Sequence, residues 1–130
     1  MGQKYLIDSN VLIDYMAELI PSKGSDFVEN LFNTNFLISV VTKIEVLGYN
    51  DLPQKMSIMR NFVSLSEILQ LNETVTEKTI DLKCSFRKMK LGDAIIASTA
   101  IVYNLSLITR NVDDFKFIPN LTLLNPYEML

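Results

Sequence analysis

The chain has 130 residues, 48% of them hydrophobic, with 12 Lys and Arg against 15 Asp and Glu, a formal net charge of -3, one cysteine and no histidine. That length suits a single domain over residues 1–130, the lone cysteine excludes a disulfide framework, and no apolar run is long enough for a membrane span or an export signal, so a cytoplasmic protein is expected. The lack of histidine excludes imidazole-activated serine or cysteine nucleophiles, histidine acid-base nucleases and the usual zinc sites, which leaves carboxylates and hard cations such as magnesium or manganese.

Tyr5, Leu6 and Ile7 form an apolar run that stops at Asp8, Ser9 and Asn10, the pattern of a buried strand followed by a polar turn. Residues 11–20 read as an apolar helix stopped by Pro21 and a loop at 22–25, and a second helix is expected at 26–32. A strand at 36–40 leads to a helix at 42–49, and Pro53 opens another at 53–63 with Ile58, Met59, Phe62 and Val63 on one side. A short strand at 68–71 precedes helices at 74–89 and 93–104. In the latter, Ile96, Ala97, Ala100 and Ile101 keep helical spacing, and the small alanines imply close packing. A strand at 105–109, a polar turn at 111–114 and a last strand at 121–124 complete the chain. Strands alternating with helices predict an α/β fold with a mainly parallel sheet. Ligands of such sheets bind beyond the carboxyl ends of the strands, where Asp8, Glu45, Asp93 and the 111–114 turn can converge.

Taken singly, each of these acids has an ordinary structural use. Asp8 with Ser9 and Asn10 is good turn chemistry, although the same neighbours would give a metal-ligating carboxylate neutral hydrogen-bonding support. Thr42-Lys-Ile-Glu45 has the form of a helix capping box, and Thr74-Val-Thr-Glu77 repeats that form with no other catalytic sign around it. Asp93 after Gly92 suits a helix N-cap, and Asp113 and Asp114 suit a loop. Cys84 reads as a small buried hydrophobe, and Lys83, Arg87, Lys88 and Lys90 as a solvated helix face in preference to an RNA track. The four acidic motifs gain weight from occurring together, in this order. With Asp8, Glu45, Asp93 and Asp114 set aside, the 12 bases outnumber the remaining acids, so the negative total is compatible with a polyanionic substrate.

Over nearly its whole length the chain resembles the PIN domain family and, within it, the VapC-type toxins of bacterial toxin-antitoxin systems. Residues 5–14 (YLIDSNVLID) are similar to that family's opening strand and first acidic motif, residues 41–46 (VTKIEV) to its second, residues 91–97 (LGDAIIA) to its third, and residues 107–115 (LITRNVDDF) to its closing motif. The resemblance implies a three-layer α/β/α fold around a central mainly parallel sheet. It also implies magnesium- or manganese-dependent hydrolysis of RNA phosphodiesters, with Asp8, Glu45 and Asp93 as metal ligands and Asn10 and Thr109 supporting them by hydrogen bonds. At the fourth position Asp114, Asp113 and Asn111 compete, with Asp114 favoured. A toxin of this kind would act on RNA and pair with a cognate antitoxin. The mean hydropathy of +0.21 is high for a small domain and would be explained by an antitoxin or by a homodimer covering apolar surface. Two other readings stand beside this one. One is a non-catalytic module of the same fold that binds RNA or protein. The other is a haloacid-dehalogenase-like phosphatase, whose general acid would fall on Asn10, an amide that cannot donate that proton.

Overall fold

In the computed structural model, which describes residues 4–130, strand β1 (Tyr5–Ile7) places Tyr5 and Ile7 on one face of the sheet and Leu6 on the other. That alternation is the two-residue period of a strand, and here both faces are apolar because helices cover both. The remaining strands are β2 (Leu37–Ser39), β3 (Glu67–Leu69), β4 (Ser106–Ile108) and β5 (Leu123–Leu124). They pair in the order β3-β2-β1-β4-β5, and every pairing is parallel. Leu6 lies opposite both Leu37 and Leu107 in register.

Helices α1 (Ser9–Met16), α2 (Ser22–Phe32) and α4 (Pro53–Val63) cover the face that carries Ile7, Ile38 and Ile108. The aromatic rings of Tyr15, Phe32, Phe36 and Phe62 meet there edge to face or tilted. Helices α5 (Glu73–Ser85) and α6 (Leu91–Val102) cover the other face, where Leu6 and Leu107 pack with Leu82, Ala94, Ala97 and Ala100. Helix α3 (Val40–Leu47) follows β2 without a loop and contributes Val46 to one core and Val41 to the other. The architecture is the expected three-layer α/β/α arrangement, and the alanines of α6 are fully buried, as their spacing predicts.

Several local expectations fail at helix starts. Helix α1 begins at Ser9, not residue 11, because Asp8 caps it; it ends at Met16, and Glu18 then takes a left-handed conformation with φ 58. Pro21, read as a stop, instead occupies the N-cap of α2, so the polar stretch after it belongs to the first helical turn and not to a loop. Neither capping box forms. Ser39 caps α3 by accepting from Val41 N–H at 3.1 Å, and Asn72 caps α5 by accepting from Val75 N–H at 2.9 Å. Lys90, not Asp93, occupies the N-cap of α6, and Asp93 lies in its first turn. Cys84 is exposed, on the solvent side of α5.

The basic run does not lie on one helix face, because α5 ends at Ser85. The Lys83 ammonium turns inward and donates to the carbonyls of Arg87 (3.3 Å) and Met89, bracing the loop that leads into α6. Arg87, Lys88 and Lys90 are exposed.

Candidate active site

Strand order reverses between β1 and β4, and the site lies beyond the carboxyl ends of these two strands, where ligands of open parallel sheets bind. Asp8 follows β1 and Thr109 follows β4. The Thr109 hydroxyl donates to Asp8 Oδ2 at 2.8 Å, and Asp8 N–H donates to the Ile108 carbonyl at 3.0 Å, so both main chain and side chains tie the two strand ends together. Asn10 Nδ2 donates to the same Oδ2 at 3.2 Å, while Ser9 N–H donates to Oδ1 at 2.8 Å. Asp8 is buried and accepts three hydrogen bonds, two at Oδ2 and one at Oδ1, so the free lone-pair capacity lies on Oδ1. Burial is the strongest influence on its carboxyl and raises its pKa, opposed by the Thr109, Ser9 and Asn10 hydrogen bonds and assisted by the charge of Glu45.

Glu45 projects from α3. Ser9 Oγ donates to Glu45 Oε1 at 2.5 Å and lies 3.3 Å from Thr42 Oγ1, so the Ser9 hydroxyl proton serves the carboxylate. Glu45 Oε2 lies 3.8 Å from the point where a Cβ would project from Gly92, ordinary contact distance, so Glu45 reaches the residue that precedes Asp93. Asp93, half-buried in the first turn of α6, is pushed up to about 6, first by burial and then by the charges of Asp8, Asp114 and Glu45, against the pull of Lys90. The acids of four separate elements thus share one electrostatic environment.

The three candidates for the fourth position differ in their surroundings. Asp113 points outward and pairs with Lys116 at 3.0 Å, both side chains well exposed. Asn111 is exposed, and its N–H donates to the Thr109 hydroxyl oxygen at 3.0 Å. Asp114, the last residue of a 3-10 turn (Val112–Asp114), is the one of the three whose charge acts on Asp93.

Among the described residues, no three of these side chains close around one point as a finished ion cage, and none of the four acids forms a described ion pair. The donor set fits a hard divalent cation: oxygen ligands only, an Asp93 carboxyl raised to about 6 by burial first and by the neighbouring negative charges second, and, among the described residues, no basic side chain paired with them. Asp8, Asp93, Glu45 and Asp114 are the residues that could hold it. All four are among the acids expected from the sequence, and Asn10 and Thr109, expected as supports, both donate to Asp8. Sequence reasoning assigned no role to Asp14 or Arg110, which join at 2.7 Å beside the site, because their partnership spans 96 residues and leaves no local pattern.

Comparison with known proteins gives a consistent set of relatives. Residues 5–120 match the model of the PIN domain. A ribonuclease VapC2 of Rickettsia felis is 28% identical over 130 residues, covering 93% of this chain and 96% of its own. A ribonuclease VapC10 of Mycobacterium tuberculosis is 28% identical over 120 residues, covering 89% of each. Among solved structures, a toxin-antitoxin complex from Klebsiella pneumoniae superposes with a TM-score of 0.78 at 29% identity, covering 97% of this chain and all of that one. The DNA-bound VapBC of Salmonella typhimurium, at 20% identity, shares the fold with a TM-score of 0.81 over 96% of this chain and 99% of that one.

Proposed function

The chain belongs to the PIN domain family, and from that premise we propose that it is a magnesium- or manganese-dependent endoribonuclease, the toxin of a toxin-antitoxin pair. The observation that carries this reading is the set of four acids, from four elements, whose charges converge on Asp93 at the sheet's switch point with no paired base among them. The ribonuclease names of the VapC relatives support it.

When bound, a divalent cation supplies Lewis acidity at the phosphodiester and the positive charge that lets hydroxide form near neutral pH. Asp8 and Asp93 would hold it. Asp8 is pre-aimed by three donors, so little reorganisation is needed at the moment of binding. Glu45, steered by Ser9, would ligate the ion or take the proton of the attacking water, and Asp114 would complete the set from the turn after β4. The short distance from Ser9 to Glu45 fixes one carboxylate oxygen and leaves the other facing Gly92 and the cluster.

A cognate antitoxin fits the apolar surface. A groove of about 340 Å³ is lined by Ile13, Met16, Ala17, Val46, Met56 and Met59, and Leu19, Tyr49 and Ile58 are more than half exposed around it. Covering these side chains would remove apolar area from water and so favour association. A homodimer is the second expected assembly, and the cytoplasm, where RNA is found, is the compartment in which the toxin would act. No helix among the described residues is long and apolar enough to cross a membrane.

The test combines binding and cleavage. Calorimetric titration with manganese should show binding to the wild type that Asp8→Asn and Asp93→Asn abolish, RNA cleavage should be lost with it, and induced expression should arrest growth only in the wild type. If the wild type neither binds the ion nor cuts RNA while both variants fold as stably, the carboxylates serve as caps and turns in a non-catalytic binding module. The cap that Asp8 provides to α1 is the observation favouring that second reading.

A further inference from the structure

Asp14, Arg110 and Tyr127 come from three distant stretches of chain and meet at one carboxylate oxygen. Asp14 lies on α1 one turn beyond Asn10, so the two side chains share a helix face. Asp14 is 6% exposed, and its Oδ2 accepts from Arg110 Nη1 at 2.7 Å and from the Tyr127 hydroxyl. The Arg110 guanidinium carbon stands 5.9 Å from the centroid of the Tyr127 ring. Asn10 Oδ1 meanwhile accepts from the main-chain N–H of Arg110 at 3.1 Å, and Asn10 Nδ2 donates to Asp8. One helix face therefore grips a single residue twice, at its backbone and at its side chain.

The gripped residue occupies a consequential place. Before it stands Thr109, which donates to Asp8. After it stands Asn111, whose N–H is held by Thr109 Oγ1 and whose carbonyl accepts from Asp114 N–H at 3.0 Å. Tyr127 is delivered by a short C-terminal turn (Pro126–Glu128), outside the residues matched by the family model. Asn125 caps that turn by accepting from Tyr127 N–H at 2.9 Å. The turn docks on α2 at Gly24, where an added Cβ would fall 1.7 Å from the Pro126 carbonyl oxygen. An exposed ion pair would hold its geometry weakly, but here the shared carboxylate is buried and receives two donors, so leaving the clasp means stranding a buried charge.

We propose that Asp14, Arg110 and Tyr127 form a clasp through which the C-terminal turn positions the Thr109 to Asp114 segment, and with it Asp114, against Asp8 and Asp93. Arg110 and Tyr127 are positioning residues, and their catalytic consequence rests on the nuclease reading of the carboxylate cluster.

The test compares the full-length wild type with Tyr127→Phe, Arg110→Gln and Arg110→Lys in three measurements: amide hydrogen exchange without metal, manganese titration by calorimetry, and steady-state RNA cleavage. Tyr127→Phe and Arg110→Gln are expected to speed exchange at Asp114, Phe115 and Lys116 by roughly 5-fold or more while β1 and β4 stay protected. They should weaken manganese binding about 10-fold and lower kcat by more than they raise KM, with Arg110→Lys intermediate because it retains the charge. Wild-type exchange and manganese affinity in both Tyr127→Phe and Arg110→Gln would overturn the clasp, as would faster exchange spread evenly over the molecule. If the wild type binds no manganese and cuts no RNA, the nuclease reading fails by itself, and the metal-free exchange still decides whether the clasp holds the turn.

Discussion

The Thr109 hydroxyl donates to Asp8 Oδ2 at 2.8 Å across 101 residues of sequence, joining the ends of the two strands between which the sheet changes direction. Thr109 is itself fully buried, and its oxygen also receives Asn111 N–H, so one hydroxyl both orients the carboxylate and shapes the turn that carries Asp114. Replacing it with valine keeps the shape and removes the donor. Thr109→Val is expected to lose about 1–3 kcal/mol in urea denaturation, because buried Asp8 forfeits one of its compensating bonds. Manganese affinity should fall roughly 10- to 100-fold by calorimetry, the usual scale for removing a ligand's hydrogen-bond support. Unchanged affinity would show that Ser9 and Asn10 suffice to aim Asp8.

Asp93 sets a pH dependence with a definite sign. Its folded-state pKa of about 6 lies above the ordinary 3.8, so its contribution to stability is fully present below the ordinary value and is lost as pH rises through about 6. In metal-free protein, the Tm of the wild type should therefore fall relative to that of Asp93→Asn as pH rises from about 4 to about 7. Manganese should raise the wild-type Tm more at about pH 7.5 than at about pH 5, because the ion relieves repulsion that exists only when Asp93 is charged. Parallel Tm curves for the two proteins would contradict this.

The pair Asp113 and Asp114 offers a contrast between neighbours of identical chemistry. Asp113→Asn removes an exposed pairing with Lys116 and should leave stability within about 0.5 kcal/mol and manganese binding unchanged. Asp114→Asn should weaken manganese binding by roughly 10-fold or more and lower the pKa of Asp93, readable by carboxyl-carbon NMR, since one of the charges raising it is gone. The reverse outcome would move the fourth position to Asp113.

Gly24→Ala tests how the C-terminus is seated. The new methyl would stand 1.7 Å from the Pro126 carbonyl oxygen, a backbone atom on a turn capped by Asn125, so the turn has to shift. A loss of about 1–3 kcal/mol is expected in urea denaturation, the range for forcing extra volume into a packed contact. Wild-type stability would mean that the turn yields without cost.

The carboxylate cluster illustrates where local pattern misleads. Thr42 and Glu45 have capping-box spacing, but Thr42 is buried beside Ser9 and Glu45 receives the Ser9 hydroxyl, because β2 runs directly into α3 and Ser39 has already taken the cap. Asp93 likewise lies one turn inside a helix whose start is set by Lys90. Asp8 does cap its helix, and the same carboxylate stands in the acidic cluster, so the structural and the chemical uses of that residue coincide.

Composition and short-range pattern set the layering and named the candidate acids. Apolar strands such as Tyr5–Ile7, the alanine-bearing α6 and the absence of histidine are properties of composition and short-range period, and these fix which faces must be buried and which chemistries are open. How the candidate acids are surrounded became visible only in the assembled fold. Asp113 pairs with Lys116 whereas the charge of Asp114 acts on Asp93, and Asp14 meets Arg110 and Tyr127 across 96 and 113 residues. The physical reason is range. Burial and periodicity act within a few residues, whereas the electrostatics of the cluster depend on distances that exist only after the sheet has assembled.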